Sequence, residues 1–195
     1  MILSLMTNPT IPSRVPAGAT PEADGIVVGT GPVRVDLFID LLCPYCRQFE
    51  LAAEPTLADL VAKQAAKLVY HPMNFLDAAS TTNYSTRAAA AAGCAADQGR
   101  FMQYAHALYE QQPPEGGPGL SDDELVRIGL ATGLDQSFPG CVSAGTYLGW
   151  PPYVTDRAAA AGVDATPTVA VEGVGIRPDP EAIAAAVARA RAGPR

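Results

Sequence analysis

The sequence predicts an α/β fold whose small sheet is interrupted by an inserted all-helical subdomain. Three observations carry this. Apolar, β-branched runs occur early (Val33 to Ile39, Lys67 to His71) and again late (Thr168 to Ile176). Residues from Leu76 to Ala161 pattern as helix throughout. Between the first long strand and the helix after it stands a Cys-x-x-Cys pair, Cys43-Pro44-Tyr45-Cys46. At 195 residues, 48% hydrophobic and 17% charged, the chain can bury one substantial core but is short for two domains.

Taken in order, residues 1–24 read as a flexible N-terminal arm, because Thr, Asn, Ser and Gly alternate with Pro9, Pro12, Pro16 and Pro21 without apolar periodicity. Residues 25–75 form the first half of the sheet unit. Ile26-Val27-Val28-Gly29 is a short edge strand and Val33 to Ile39 a central one. The helix opening at Cys43 carries Phe49, Leu57, Leu60 and Val61 at helical spacing, with Pro55 expected to bend it. Lys67 to His71 is a further strand, expected to close at Pro72. Residues 76–161 form the helical subdomain: Thr82 to Gln98 is alanine-rich, Arg100 to Gln111 is amphipathic, and Ser121-Asp122-Asp123-Glu124 is a capping box. Shorter helices are expected over Phe138 to Leu148 and Tyr153 to Ala161, with Trp150-Pro151-Pro152 as a packing corner between them. In residues 162–195 the sheet resumes with Thr168 to Val171, a Glu172-Gly173 turn and Val174 to Ile176, and a helix from Pro180 to Ala192 ends the chain.

The chemistry concentrates at the cysteine pair. A strand that delivers Cys43 to the first turn of a helix sets its sulfur against unpaired backbone N–H groups and the positive end of the helix dipole, which favours a thiolate. Cys43 is therefore the candidate nucleophile, and Cys46, one turn further in, the thiol that resolves a mixed disulfide. Pro44 suits the first helical turn, where its missing N–H has no partner to lose, and Tyr45 adds no positive charge beside the thiolate. Both tune the pair.

Composition excludes several partners. A net charge of −7, from 20 acidic against 13 basic residues, argues against nucleic acid or an anionic membrane surface. No apolar run reaches the ~20 residues of a membrane span, and Met1 to Met6 lacks the basic flank and length of a signal peptide. There is no GxGxxG, P-loop or GxSxG motif, so no nucleotide or other cofactor is expected. A zinc site shared by Cys43, Cys46, Cys94 and Cys141 is disfavoured for want of a second close-spaced pair, and no metal is expected. His71 and His106 read as surface or capping residues and Arg87 as an ion-pairing helix residue. Cys94 and Cys141 are, on their own, compatible with two buried small hydrophobes.

With CxxC after an early strand and Thr-Pro before a late one, the chain resembles the DsbA-like thioredoxin-fold oxidoreductases, in their extracytoplasmic actinobacterial branch. The likeness rests on Phe38-Ile39-Asp40-Leu41-Leu42-Cys43-Pro44-Tyr45-Cys46-Arg47-Gln48-Phe49-Glu50, on Phe75-Leu76-Asp77 with Tyr84-Ser85-Thr86-Arg87-Ala88-Ala89, and on Gly162-Val163-Asp164-Ala165-Thr166-Pro167-Thr168-Val169. It runs from about Gly25 to the C-terminus. The fold it implies is a thioredoxin fold with the helical subdomain inserted.

The resemblance further implies that Pro167 is cis beside the Cys43–Cys46 pair and that the Thr166 backbone hydrogen-bonds an extended substrate peptide. It implies a structural disulfide between Cys94 and Cys141, which would contribute on the order of 4 kcal/mol through loop closure. The implied activity is thiol:disulfide exchange with cysteine-containing protein substrates, oxidation favoured, with a membrane partner to re-oxidise the pair. Threonine before the proline, together with CPYC, is similar instead to reductases and isomerases of the group. A reductase would need an electron donor, and the isomerases' dimerisation domain is missing. A non-catalytic thioredoxin-fold binding domain is the remaining alternative. Where many relatives keep a buried carboxylate, six residues before Cys43, this chain has Leu37; Asp36 or Asp40 either substitutes or is a solvated strand-end charge. The resemblance places the chain in the cell envelope, with Met1 to Met6 as the tail of an absent anchor; a cytoplasmic reductase is the alternative.

Overall fold

The computed structural model of the protein describes residues 9–193, so the expectations for Met1 to Met6 lie outside the described residues. Among the described residues five strands form one sheet: β1 (Ile26–Val28), β2 (Val33–Asp40), β3 (Ala66–Met73), β4 (Thr168–Val171) and β5 (Val174–Ile176). Their order is β1-β3-β2-β4-β5. β2 and β3 run parallel in full register from Val33 opposite Ala66 to Asp40 opposite Met73, and the other pairings are antiparallel. Parallel neighbours need a crossover, which α1 (Pro44–Ala62) supplies. Val35, Leu37, Ile39, Leu68 and Tyr70 are almost wholly buried, as expected of a central pair covered by helices.

The inserted helices are α2 (Tyr84–Ala96), α3 (Phe101–Glu110), α4 (Asp122–Ala131), α5 (Phe138–Ser143) and α6 (Trp150–Ala160), and α7 (Pro180–Ala192) follows the last strand. α1 and α7 pack on each other and on the sheet, while α2 and α6 reach β3 from the inserted block. Nearly every residue of α2 is buried, and its alanines let neighbouring helices approach closely. Ser121 caps α4 reciprocally with Glu124, as the motif predicts. Cys94 in α2 and Cys141 in α5 are disulfide-bonded across a separation of 47 residues.

Four local expectations are corrected. β3 does not close at Pro72 but runs on to Met73, because β1 pairs only Leu68 to Tyr70 and a residue without an N–H is tolerated where one flank has no strand. α5 ends at Ser143 rather than reaching Leu148; Gly145, at φ +59°, turns the chain there. Trp150-Pro151-Pro152 is not a corner but the first turn of α6, where prolines lose no intrahelical bond. His71 is neither a surface nor a capping residue: it is buried, stacks on Phe38 with ring centroids 4.2 Å apart, and bonds Asp36 Oδ1 at 2.9 Å and the Asp24 carbonyl at 2.6 Å. Burial opposes the Asp36 charge, but hydrogen bonds from His71 and Arg34 outweigh it and hold Asp36 below the usual carboxylate range.

The N-terminal arm also differs from expectation. Its first eight residues lie outside the described residues, but the stretch up to residue 24 is held against the folded chain. Ala19 bridges to Ile26, and Ala17 N–H donates to Asp97 Oδ1 at 2.8 Å. The fully buried Trp150 donates from Nε1 to the Ala23 carbonyl at 2.7 Å, and Tyr153 Oη donates to the Glu22 carbonyl at 2.7 Å. Proline-rich composition signals a missing regular element; it does not signal missing contacts, which come here from side chains about 130 residues away. Trp150→Phe keeps the ring but leaves the buried Ala23 carbonyl unpaired, and should lower stability by about 1–3 kcal/mol in urea unfolding. An unchanged midpoint would show that this bond does not hold the segment.

Candidate active site

The site forms where β2 ends. Asp40 closes the strand, Leu41 and Leu42 turn, and Cys43 takes the N-cap position of α1 with extended backbone angles (φ −69°, ψ 120°) and Pro44 behind it. Cys43 and Cys46 are both free thiols, one turn apart. Cys43 is 5% exposed and Cys46 fully buried, so the first sulfur is the more accessible of the two, though by little. Pro167 follows a cis peptide bond, and the Cys43 thiol donates to the Thr166 carbonyl at 3.5 Å. The structure thus brings together Cys43, Pro44, Tyr45, Cys46, Thr166 and Pro167. Beside them lies an open groove whose lining includes Tyr45, Gln48, Phe49, Thr166, Pro167 and Pro180. Tyr45 is 70% exposed and available to a docking partner. Cys94 and Cys141 belong to the helical block.

The two sulfurs are driven apart electrostatically. A hydrogen bond from the Cys46 thiol, assisted by the backbone N–H groups of Cys46 and Tyr45, outweighs burial and brings Cys43 down to about 5. Burial, followed by the hydrogen bond and charge of Cys43, pushes Cys46 far up. One anion is favoured at the helix start while its neighbour keeps its proton.

The loop before Cys43 is clamped from the helical block. Gln112 Nε2 donates to the carbonyls of Leu41 (2.9 Å) and Cys43 (3.1 Å), Tyr109 Oη donates to the Asp40 carbonyl at 3.2 Å, and Arg47 Nε donates to the Tyr109 carbonyl at 2.8 Å. Asp40 is fully buried, which corrects the expectation of a solvated strand-end charge. Its Oδ1 accepts from Leu42 N–H (2.8 Å) and Ser85 Oγ (2.7 Å), its Oδ2 from Leu76 N–H (2.9 Å), and its own N–H points at Cys46 Sγ at 3.4 Å. Burial pushes the Asp40 carboxyl up to about 6 despite those donors. No sequence pattern reveals the roles of Gln112 and Tyr109, which lie far along the chain from the loop they hold.

Glu50 was also missed. It sits on the buried stripe of α1 with Cys46, Phe49, Ala53 and Leu57, and neither carboxyl oxygen has a hydrogen-bond partner. A charged residue at an apolar position of the helical repeat was the available signal. Burial, then the charge of Glu54, pushes it up to about 7.

Two outcomes follow. Iodoacetamide should alkylate Cys43 of the reduced protein with a midpoint near pH 5 and leave native Cys46 unmodified, as read by mass spectrometry; a midpoint above 8 contradicts the site's electrostatics. Glu50 titrates in the folded state near 7 rather than at the ordinary 4.5, so the native state holds a proton across that window and stability falls as pH rises through it. Glu50→Gln removes that slope and should gain about 1–3 kcal/mol on the wild type between pH 5 and pH 8 in urea unfolding.

Comparison with known proteins agrees with this geometry. Residues 23–189 match the family model described as Thioredoxin. The serine/threonine-protein kinase PknE of Mycobacterium tuberculosis is 34% identical over 135 residues; the match takes in 65% of this chain and 24% of the kinase, so the chain spans about a quarter of that relative's length. Among solved structures, the reduced form of the disulfide oxidoreductase DsbG from Mycobacterium tuberculosis is 33% identical with a TM-score of 0.75, covering 85% of this chain and 86% of that one. Reduced DsbA from Mycobacterium tuberculosis is 34% identical with a TM-score of 0.70, covering 79% and 85%. The chain therefore belongs to the thioredoxin family, as a DsbA-like thioredoxin-fold oxidoreductase.

Proposed function

We propose that the protein introduces disulfides into cysteine-containing protein substrates through the Cys43–Cys46 pair. The observation that carries this reading is Cys43 at the start of α1, brought down to about 5 by the Cys46 thiol and the local N–H groups. A thiolate stabilised this well is a good leaving group, and a dithiol stabilised this well is the product of an oxidant. In the oxidising direction a substrate thiolate attacks Cys43 Sγ of the Cys43–Cys46 disulfide. Cys46 leaves and takes up a proton. A second substrate thiolate then attacks the substrate sulfur bonded to Cys43, and Cys43 leaves as thiolate. The substrate loses two electrons to the pair and gains its disulfide.

Thr166 and Pro167 take the substrate backbone in this reading, since the Thr166 carbonyl lies within hydrogen-bond reach of Cys43 and the groove continues from it. Tyr45 and Pro44 shape the entrance. Turnover needs a membrane redox partner to restore the disulfide, and the Cys94–Cys141 bridge fits the oxidising surroundings of the cell envelope. Reduction or isomerisation by the same pair is the alternative direction, for which Thr166 before the cis-proline speaks and which would need an electron donor. A second reading, a non-catalytic thioredoxin-fold binding domain, draws on the match to part of a longer serine/threonine-protein kinase.

Cys43→Ser should abolish both dithiol oxidation and insulin reduction, and Cys46→Ser should accumulate a mixed disulfide between Cys43 and a model peptide. An active Cys43→Ser variant would sink the assignment, and a wild type that binds peptide but neither oxidises nor reduces it would leave the binding domain.

A further inference from the structure

We infer that Arg47 is a specificity-determining residue of the exchange reaction, favouring protein substrates that carry an acidic side chain next to the reacting cysteine. The inference deepens the proposed function and rests on the Cys43–Cys46 pair being the redox couple. Arg47 comes four residues after Cys43, a spacing that makes the two neighbours on one face of the helix start, and its backbone N–H donates to the Cys43 carbonyl at 3.1 Å. Arg47 is exposed, whereas the two cysteines beside it are buried.

The guanidinium is held in place without being neutralised. Its Nε donates to the Tyr109 carbonyl at 2.8 Å, and among the described residues its two Nη groups donate to nothing and no carboxylate pairs with it. Arg34, Arg87 and Arg177, by contrast, hold Asp36, Asp122 and Asp179 at 2.7, 2.6 and 3.1 Å. The Tyr109 carbonyl also accepts from Gln112 N–H at 3.3 Å, and Gln112 Nε2 donates to the Cys43 carbonyl at 3.1 Å, so the residues that fix Cys43 also fix this charge. A planar fork already anchored through Nε gives up little freedom when a carboxylate docks on its free Nη groups.

Where a substrate meets this charge follows from the two flanks of α1. Tyr45, Gln48 and Ala52 border the groove beside Thr166 and Pro167, and among the described residues no cation lines it. Arg47 lies on the opposite flank, toward Tyr109 of α3, with Cys43 at the helix start between the two. An extended substrate seated in the groove and joined through sulfur to Cys43 continues onto that flank, so a side chain adjacent to its cysteine reaches the guanidinium. The net charge of −7 repels an acidic peptide from the molecule as a whole, so an attraction to one has to be local.

The test is stopped-flow oxidation of dithiol peptides, blocked at both ends, by the full chain in its disulfide form. The peptide S–S bond forms as the Cys43–Cys46 bond breaks; of the two protons the peptide thiols lose, Cys46 takes one and solvent the other, and Cys43 leaves as thiolate. In one peptide glutamates flank both cysteines, and in the other glutamines. Glutamates alter the reactivity of their own thiols equally for every protein, so the reading is the Glu-to-Gln rate ratio of the wild type divided by that of Arg47→Gln, which also cancels any general loss in the variant. This quotient should be about threefold at about 20 mM salt and fall toward one at about 500 mM. If Arg47→Gln fails to fold, the wild type alone decides: added salt should slow the Glu peptide relative to the Gln peptide, whereas the net charge by itself would have salt speed it, and that result overturns the inference. A wild type that oxidises neither peptide overturns the functional reading and the inference together. One that oxidises both, with a quotient of one at low salt, overturns the inference alone.

Discussion

The structure depends on the junction between β2 and α1. A parallel β2–β3 pair forces the chain to leave the sheet at Asp40 and cross over through a helix, so a helix must start within a few residues of the strand's end. That start exposes backbone N–H groups with no carbonyl partner, and Cys43 occupies the N-cap with no capping side chain to compete for them. The topology alone thus creates a place where a negative sulfur is stabilised.

What converts that place into a tuned pair is burial. Asp40, Cys46 and Glu50 all lie in the interior, and each is dealt with differently. Cys46 keeps its proton because burial raises it. Asp40 is supplied with three neutral donors, and Glu50 with none. Buried polar groups without partners cost stability, and here that cost falls on the helix that carries the reactive sulfurs. The inserted helices supply much of the clamping: Leu76, Ser85, Tyr109 and Gln112 reach the four-residue stretch from Asp40 to Cys43. The insertion is therefore part of the active-site wall, so that its packing and the geometry of Cys43 are coupled.

Most of the fold was legible in the sequence. Val33 to Ile39, Lys67 to His71 and the Thr168 to Ile176 hairpin announce themselves by β-branched runs, and the Ser121–Glu124 box by its spacing. Errors arose where a local signal was overruled by distant contacts. Pro72 is a strand breaker only where a partner needs its N–H. His71 looked like a terminal residue because nothing local shows that Asp24 and Asp36 converge on it. The Pro-rich segment looked loose because the groups that hold it, Trp150 and Tyr153, belong to a helix at the other end of the chain.

The same division holds at the site. That two thiols stand one helical turn apart at the end of a strand follows from the amino-acid order, because strand, loop and helix signals are local and the spacing is covalent. What surrounds them comes from the folded chain: Thr166 and Pro167 against Cys43, Gln112 on the carbonyls of Leu41 and Cys43, and Asp40 enclosed rather than solvated. Burial and hydrogen-bond partnership are set by residues brought together from across the chain, and those two quantities govern the charge on a sulfur.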